Sequence, residues 1–166
     1  MLQSADSTPQ TCSETRSQWI ALLARAPINL LEQALGDQSD EQPQWLRKPE
    51  TGLMMIEARA GGTGERFNLG EISITRCALR LNDSRADAPV GIAYVLGRSH
   101  KHARLAAMLD AIMLTIADPS SKEKILAPIK QHLQEQRTIR ERRTATSKVE
   151  FFTIARESDA NDESEE

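Results

Sequence analysis

Four residues, Gly61-Gly62-Thr63-Gly64, divide two segments in which apolar and polar side chains alternate. Before them, Met54, Ile56 and Ala58 alternate with Glu57 and Arg59 across Leu53 to Ala60. After them, Ile72 and Ile74 alternate with Glu71, Ser73 and Thr75 within Phe67 to Leu81, and a bend is expected at Gly70. Period-two alternation marks a half-buried strand, and glycines in the connection supply the positive φ that a tight reversal needs. The two segments are expected to form a hairpin about the glycine turn.

The remaining segments must pack around that hairpin. Val90 to Leu96 has the branched and aromatic content of a third strand, and Gly97 ends it. Ser99 is placed to cap a long helix, because Ala103, Ala106, Leu109, Ile112, Met113 and Ile116 recur at helical spacing up to the Asp118-Pro119 stop. A second helix is expected over about Ser121 to Thr144, interrupted or started afresh near Pro128, with Ile125, Ile129, Leu133 and Ile139 as its apolar side. Arg137, Arg140, Arg142 and Arg143 crowd its end, where cations complement the helix dipole.

Near the start of the chain, Trp19, Ile20, Leu22, Leu23 and Ala26 fall on helical spacing. Pro27 breaks that helix or opens the next, which runs from Asn29 to Leu35 and stops at Gly36. Gly36 to Pro49 reads as a loop with a short extended piece around Trp45 to Arg47, and Asn82 to Pro89 as a polar turn. Val149 to Ile154 reads as a last strand or an extended docking segment. The class that results is α+β, a small and mainly antiparallel sheet packed with helices in a single domain. The expected domain covers residues 16–156, with a flexible arm at 1–15 and a disordered acidic tail at 157–166.

A chain of 166 residues with 39% apolar content suits one core, and aromatics at 4% leave that core to Leu, Ile, Val, Met and Ala. No run approaches the roughly 20 apolar residues of a transmembrane helix, and the polar N-terminus lacks a signal-peptide pattern, so a cytoplasmic protein is expected. Cys12 and Cys77 have no metal-ligand spacing and are expected to be free thiols. Six acids, Glu157, Asp159, Asp162, Glu163, Glu165 and Glu166, sit in the last ten residues; without them the formal net charge of -3 becomes +3. That surplus suits an anionic ligand or an acidic partner, but is too small to decide between them.

Two stretches are candidates for chemistry. In Arg59-Ala60-Gly61-Gly62-Thr63-Gly64-Glu65-Arg66-Phe67, three glycines expose backbone N–H groups between two arginines, an arrangement able to cradle phosphate oxygens. No Lys-Ser/Thr pair follows and no helix begins there, which excludes a Walker motif and a dinucleotide fingerprint. The plain alternative is a hairpin turn with Glu65 and Arg66 solvated. Gly97-Arg98-Ser99-His100-Lys101-His102 lies at a strand-to-helix junction, where the helix N-terminus, Arg98 and His102 can hold an anion or simply cap and solvate. The His-x-His pair has no evident third ligand, so no metal is assigned. Asp110, on or beside an apolar helix face, requires a partner if buried, with Arg76 and Arg80 as possibilities. The arginines of the last helix lack interleaved aromatics, which argues against nucleic acid.

These segments also carry a resemblance. Glu50-Thr51-Gly52-Leu53, then Ala58-Arg59-x-Gly61-Gly62-Thr63-Gly64-Glu65-Arg66-Phe67, Thr75-Arg76, Gly97-Arg98, His102-Ala103, Asp110-Ala111 and Val149-x-Phe151-Phe152-Thr153 together resemble the PhnG family, in order, from about Trp19 to Arg156. The resemblance implies the G subunit of the bacterial carbon-phosphorus lyase core, acting in phosphonate catabolism. It implies a non-autonomous part of a transferase that forms α-D-ribose 1-methylphosphonate 5-triphosphate from ATP and methylphosphonate with release of adenine.

The implied partners are the H, I, J and K subunits, with the L subunit for activity. Nucleosidase chemistry belongs to I and the iron-sulfur radical step to J, so this chain is expected to hold no cofactor; ATP is a substrate of the assembly. No catalytic residue carries over. Arg59, Gly61, Gly62, Gly64, Glu65, Arg66, Arg98 and His102 stand as anion-binding or interface candidates, and Phe151 and Phe152 as partner-docking candidates. The alternative role is a structural adaptor that organises the I subunit without touching substrate. More distant is an independent anion-binding module.

Overall fold

The computed structural model describes residues 15–40, 42–81 and 88–146. Expectations for the N-terminal arm, for Val149 to Ile154 with Phe151 and Phe152, and for the acidic tail lie outside the described residues.

The hairpin forms about the glycine turn as expected. Strand β1 (Gln44–Arg59) pairs antiparallel with β2 (Arg66–Arg80), from Gln44 opposite Arg80 to Arg59 opposite Arg66. Ala60–Gly62 makes a single 3-10 turn in which Gly61 and Gly62 take φ of 59° and 83°. Strand β3 (Val90–Leu96) pairs antiparallel with the other side of β2, giving the order β1-β2-β3.

β1 begins nine residues before the expected start at Leu53, inside what reads as a loop. Pro49 is the reason sequence reasoning stops short, because a proline cannot serve a central ladder. Among the described residues, however, β1 has only one strand neighbour, and an edge strand tolerates proline where its pairing is irregular. The register slips between Trp45 and Arg47 and again between Arg47 and Glu50, around that proline.

A second departure concerns burial. Alternation in Leu53 to Ala60 implies one buried face, yet Leu53, Met54 and Met55 are 64%, 45% and 49% exposed. β3 supplies the cause: it reaches only as far as Ile74 of β2, so the glycine-turn half of the hairpin continues beyond it as a two-stranded arm. Phe67 and Leu69 on the arm are exposed as well.

The helices cover the other half of the sheet on one face. α1 (Arg16–Leu23) and α2 (Ile28–Leu35) are joined through Pro27, which stands at the N-cap of α2, and Gly36 closes α2 at a φ of 55°. α3 (His100–Thr115) is capped by Ser99, whose hydroxyl accepts from His102 N at 3.2 Å. α3 buries Ala103, Leu105, Ala106, Ala107, Met108, Leu109, Ala111 and Met113, facing Cys77 and Leu79 of β2 and Ala93 and Val95 of β3 in one core. Its alanines allow the backbones to meet: a Cβ on Gly91 of β3 would overlap the carbonyl oxygen of Ala107 and come within 2.8 Å of Ala111 N.

α4 (Pro119–Ala145) is one uninterrupted helix and is not restarted at Pro128. Pro128 is exposed between the buried Leu126 and Ile129, so packing on either side offsets the hydrogen bond the proline removes. Asp118 caps α4, accepting from Ser120 N and Ser121 N and from the Ser121 hydroxyl at 2.7 Å; the Ser121 hydroxyl and both amides hold its pKa below the usual value.

Asp110 ties three elements together. Its carboxylate, fully buried on α3, accepts from Arg16 Nη2 at 2.7 Å, Trp19 Nε1 at 2.8 Å and Ile92 N at 2.9 Å. Arg16 also donates to Val90 O at 2.8 Å. The partner is therefore Arg16 from the distant N-terminal helix, and not Arg76 or Arg80. Arg76 is directed to the opposite sheet face and donates to Glu50 Oε1 at 2.8 Å.

Three outcomes follow from this packing. Asp110→Ala is expected to cost about 3–5 kcal/mol in urea unfolding, since it leaves Trp19 Nε1 and Ile92 N without acceptors; Arg16→Ala should cost about as much, because it leaves the buried carboxylate without its counter-charge. Gly91→Ala should destabilise by at least about 1–3 kcal/mol through overpacking, read as a lowered melting temperature. Burial pushes the Cys77 thiol up to about 12, and its S–H donates to Ala103 O at 3.1 Å. Folding thus favours the neutral thiol, and its contribution, complete below the unfolded thiol value, should fade as pH rises from there towards 12. Alkylation of native Cys77 near neutral pH should track global unfolding.

Candidate functional site

The structure places the two candidate stretches apart along the hairpin, one at its tip and one beside its middle. Arg59 to Arg66 form the tip of the arm, whereas Gly97 to His102 join β3 to α3 beside Ser73, whose carbonyl accepts from Gly97 N at 2.8 Å. Seven residues of strand separate Arg66 from Ser73, or about 23 Å at 3.3 Å per residue. They do not make one site.

At the tip, the glycines serve the turn first. Gly64 N donates to Ala60 O at 2.8 Å, and a Cβ at Gly64 would lie 2.6 Å from that oxygen, so this amide is committed and this position requires glycine. Open space lies where a Cβ on Gly61 or Gly62 would project. Arg59 Nη1 donates a long bond to Gly64 O at 3.5 Å, and Arg66 stands 3.6 Å from Glu57 with both side chains largely exposed. Glu65 is exposed. Such pairs are worth little in water, so both guanidinium groups remain available to an anion or a carboxylate.

At the junction, the candidates are mostly in structural service. His102 Nε2 lies 3.0 Å from the carbonyl of Leu23, the last residue of α1, and so joins that helix end to the start of α3. Lys101 pairs with Glu32 of α2. Arg98 is exposed.

Next to them is a polar chain that sequence reasoning missed. The fully buried Thr75 donates its hydroxyl to Gly97 O at 2.8 Å and lies 3.1 Å from the Thr51 hydroxyl, itself 3.1 Å from His100 Nε2. Thr75 has one proton and gives it to Gly97, so Thr51 must donate to Thr75, and His100 must then donate from Nε2 to Thr51. A signal was present, since Glu50-Thr51 and Thr75-Arg76 face one another in the ladder. Only the register, which the bulges at Pro49 conceal, brings them together.

Among the described residues, no group of three or more His, Cys, Asp or Glu is placed to hold a metal ion. Cys77 is buried with a raised pKa, and Asp110 is saturated with donors. No described helix is long and apolar enough to cross a membrane.

The largest unassigned feature is apolar surface. Register puts Met54 with Ile72 and Ala58 with Phe67 on the sheet face away from the helices, continuing past Ile74 to Leu96, which is 70% exposed, and Tyr94. Leu53 and Met55 project from the arm's other face. The run Leu53-Met54-Met55-Ile56 announced this, because four successive apolar residues in a strand make both faces apolar.

The sequence was compared with known proteins. The family model for phosphonate metabolism protein PhnG matches residues 14–157. Among curated proteins, the chain is 34% identical over 161 residues to the alpha-D-ribose 1-methylphosphonate 5-triphosphate synthase subunit PhnG of Rhizobium meliloti (strain 1021), covering 96% of this chain and 100% of that relative. The match takes in the whole described fold, from α1 through the glycine-tipped hairpin to α4, and the chain belongs to the PhnG family of phosphonate metabolism proteins.

Proposed function

We propose that this chain is a non-autonomous subunit of the assembly that forms α-D-ribose 1-methylphosphonate 5-triphosphate from ATP and methylphosphonate with release of adenine. The observation that carries the reading is the apolar arm. A small domain with a modest core keeps Leu53, Met54, Met55, Phe67 and Leu69 in water at 45% exposure or more, a cost that a permanent partner removes. The relative's name, a synthase subunit, supplies the assembly. The partners are the H, I, J and K subunits, with the L subunit for activity, and the reaction's resident cofactors belong to them.

Within that assembly the chain's main part is to organise its neighbour, the I subunit, through the arm. His102, Lys101 and Asp110 already have partners inside the fold, which supports this division of labour. A second reading is favoured by the exposed Arg59 and Arg66 at the tip: carried on the arm into a neighbouring subunit, they border the triphosphate or phosphonate. Their planar donors suit either anion.

Co-expression with the H, I and J subunits, followed by an adenine-release assay with L present, tests the reading. Release should depend on this chain; unchanged release without it, and purification of the chain alone, would overturn the proposal. Leu53→Glu with Met55→Glu should leave the fold intact, because both side chains are exposed, yet lower co-purification by at least about tenfold, since two buried charges cost more than 1.4 kcal/mol. Arg66→Ala separates the two roles: turnover lost in an intact complex supports tip contact with substrate, and unchanged turnover leaves organisation as the arm's whole function.

A further inference from the structure

The two edges of the sheet are treated differently. On β3, side chains engage two peptide groups of its first half, since Val90 O accepts from Arg16 and Ile92 N donates to Asp110. On β1, the segment from Gln44 to Glu50 is disrupted by Pro49 and two slips of register, and another slip follows Ile56. Bulges, prolines and capped peptide groups are the means by which proteins prevent an edge from pairing. Between the interruptions on β1 lies a stretch, Glu50–Ile56, with unbroken register to β2 and, among the described residues, no second strand neighbour.

We propose that the outer edge of β1 over Glu50–Ile56 receives a β-strand from another subunit, extending the sheet to four strands with the incoming strand outermost. This rests on the subunit reading above and specifies the chemistry of its contact. An edge strand turns every second N–H and C=O outward, a row that only another extended backbone satisfies in full. Side chains point to the same occupant. Leu53 and Met55 on one face, with Met54 and Ile56 on the other, flank the edge from both sides, whereas a helix laid on the arm would cover one face and leave the other wet. The partner segment is therefore about seven residues, spanning roughly 23 Å, with apolar side chains alternating to both faces. Glu50, engaged by Arg76 and Arg47, marks one end of the site, and the irregularity after Ile56 marks the other.

Residue-resolved amide exchange on the purified complex tests this, with no need for the lone chain to be stable. With strands on both sides, all six successive amides from Thr51 to Ile56 should exchange on the order of 100-fold more slowly than in unstructured peptide. Alternation of fast and slow amides in an intact complex would overturn strand addition while leaving the subunit reading in place. A photo-cross-linker at Leu53 should capture a segment of a different subunit. Capture of a second copy of this chain, or of its own residues 147–166, would overturn the proposal, and failure of the complex to form would instead overturn the subunit reading.

Discussion

The packing of α1, α3 and β3 on one another depends on the carboxylate of Asp110. A buried charge is costly unless it is paired and hydrogen-bonded, and this one gathers its donors from three places: a guanidinium and an indole on α1, and a backbone amide of β3. The same contacts tie α1 to the start of β3 and hold β3 under α3. Trp19, thereby oriented, also receives Lys122 of α4 over its ring at 4.9 Å. One acid on α3 thus coordinates parts of the chain that its hydrophobic pattern alone would bring together without fixing their angles.

The packing so defined is confined to half of the sheet. β3 is seven residues long, and the helices cover what β3 and its partner segment of β2 offer them. β1 and β2 are 16 and 15 residues long, so among the described residues their remaining length has neither a third strand nor a helix above it. A two-stranded ribbon is marginal in water, and the apolar side chains on both faces of this one make solvation worse. The length mismatch between β3 and the hairpin is thus the structural origin of a surface that calls for another polypeptide.

Much of this was legible in the sequence. The glycine turn, the third strand, the Ser99 cap and the helical pair ended by Gly36 each follow from local chemistry that the tertiary fold does not override. What was hidden depends on distance along the chain. Nothing near Asp110 indicates that its cation is Arg16, 94 residues away. Pro49 disguised the first part of β1, because whether proline is tolerated depends on a strand's being at an edge, which is a property of the sheet and not of the segment. Period-two alternation shows that two faces of a strand differ; it does not show that anything lies against either. Of the candidate residues, His102 was visible as an anion ligand or a cap, and only the position of the Leu23 carbonyl decides for the tether.

The separation of the two candidate stretches bears on what the chain can do chemically. Arg59 and Arg66 at the arm tip are about 26–30 Å of strand from Thr51 and Thr75, which form the polar chain with His100 at the α3 junction. General acid–base or anion-stabilising work requires donors within about 3 Å of one reacting atom, so neither end contains a complete set and the two ends do not combine. An arm that reaches away from its own core nonetheless places two guanidinium groups where a neighbouring subunit's residues can surround them.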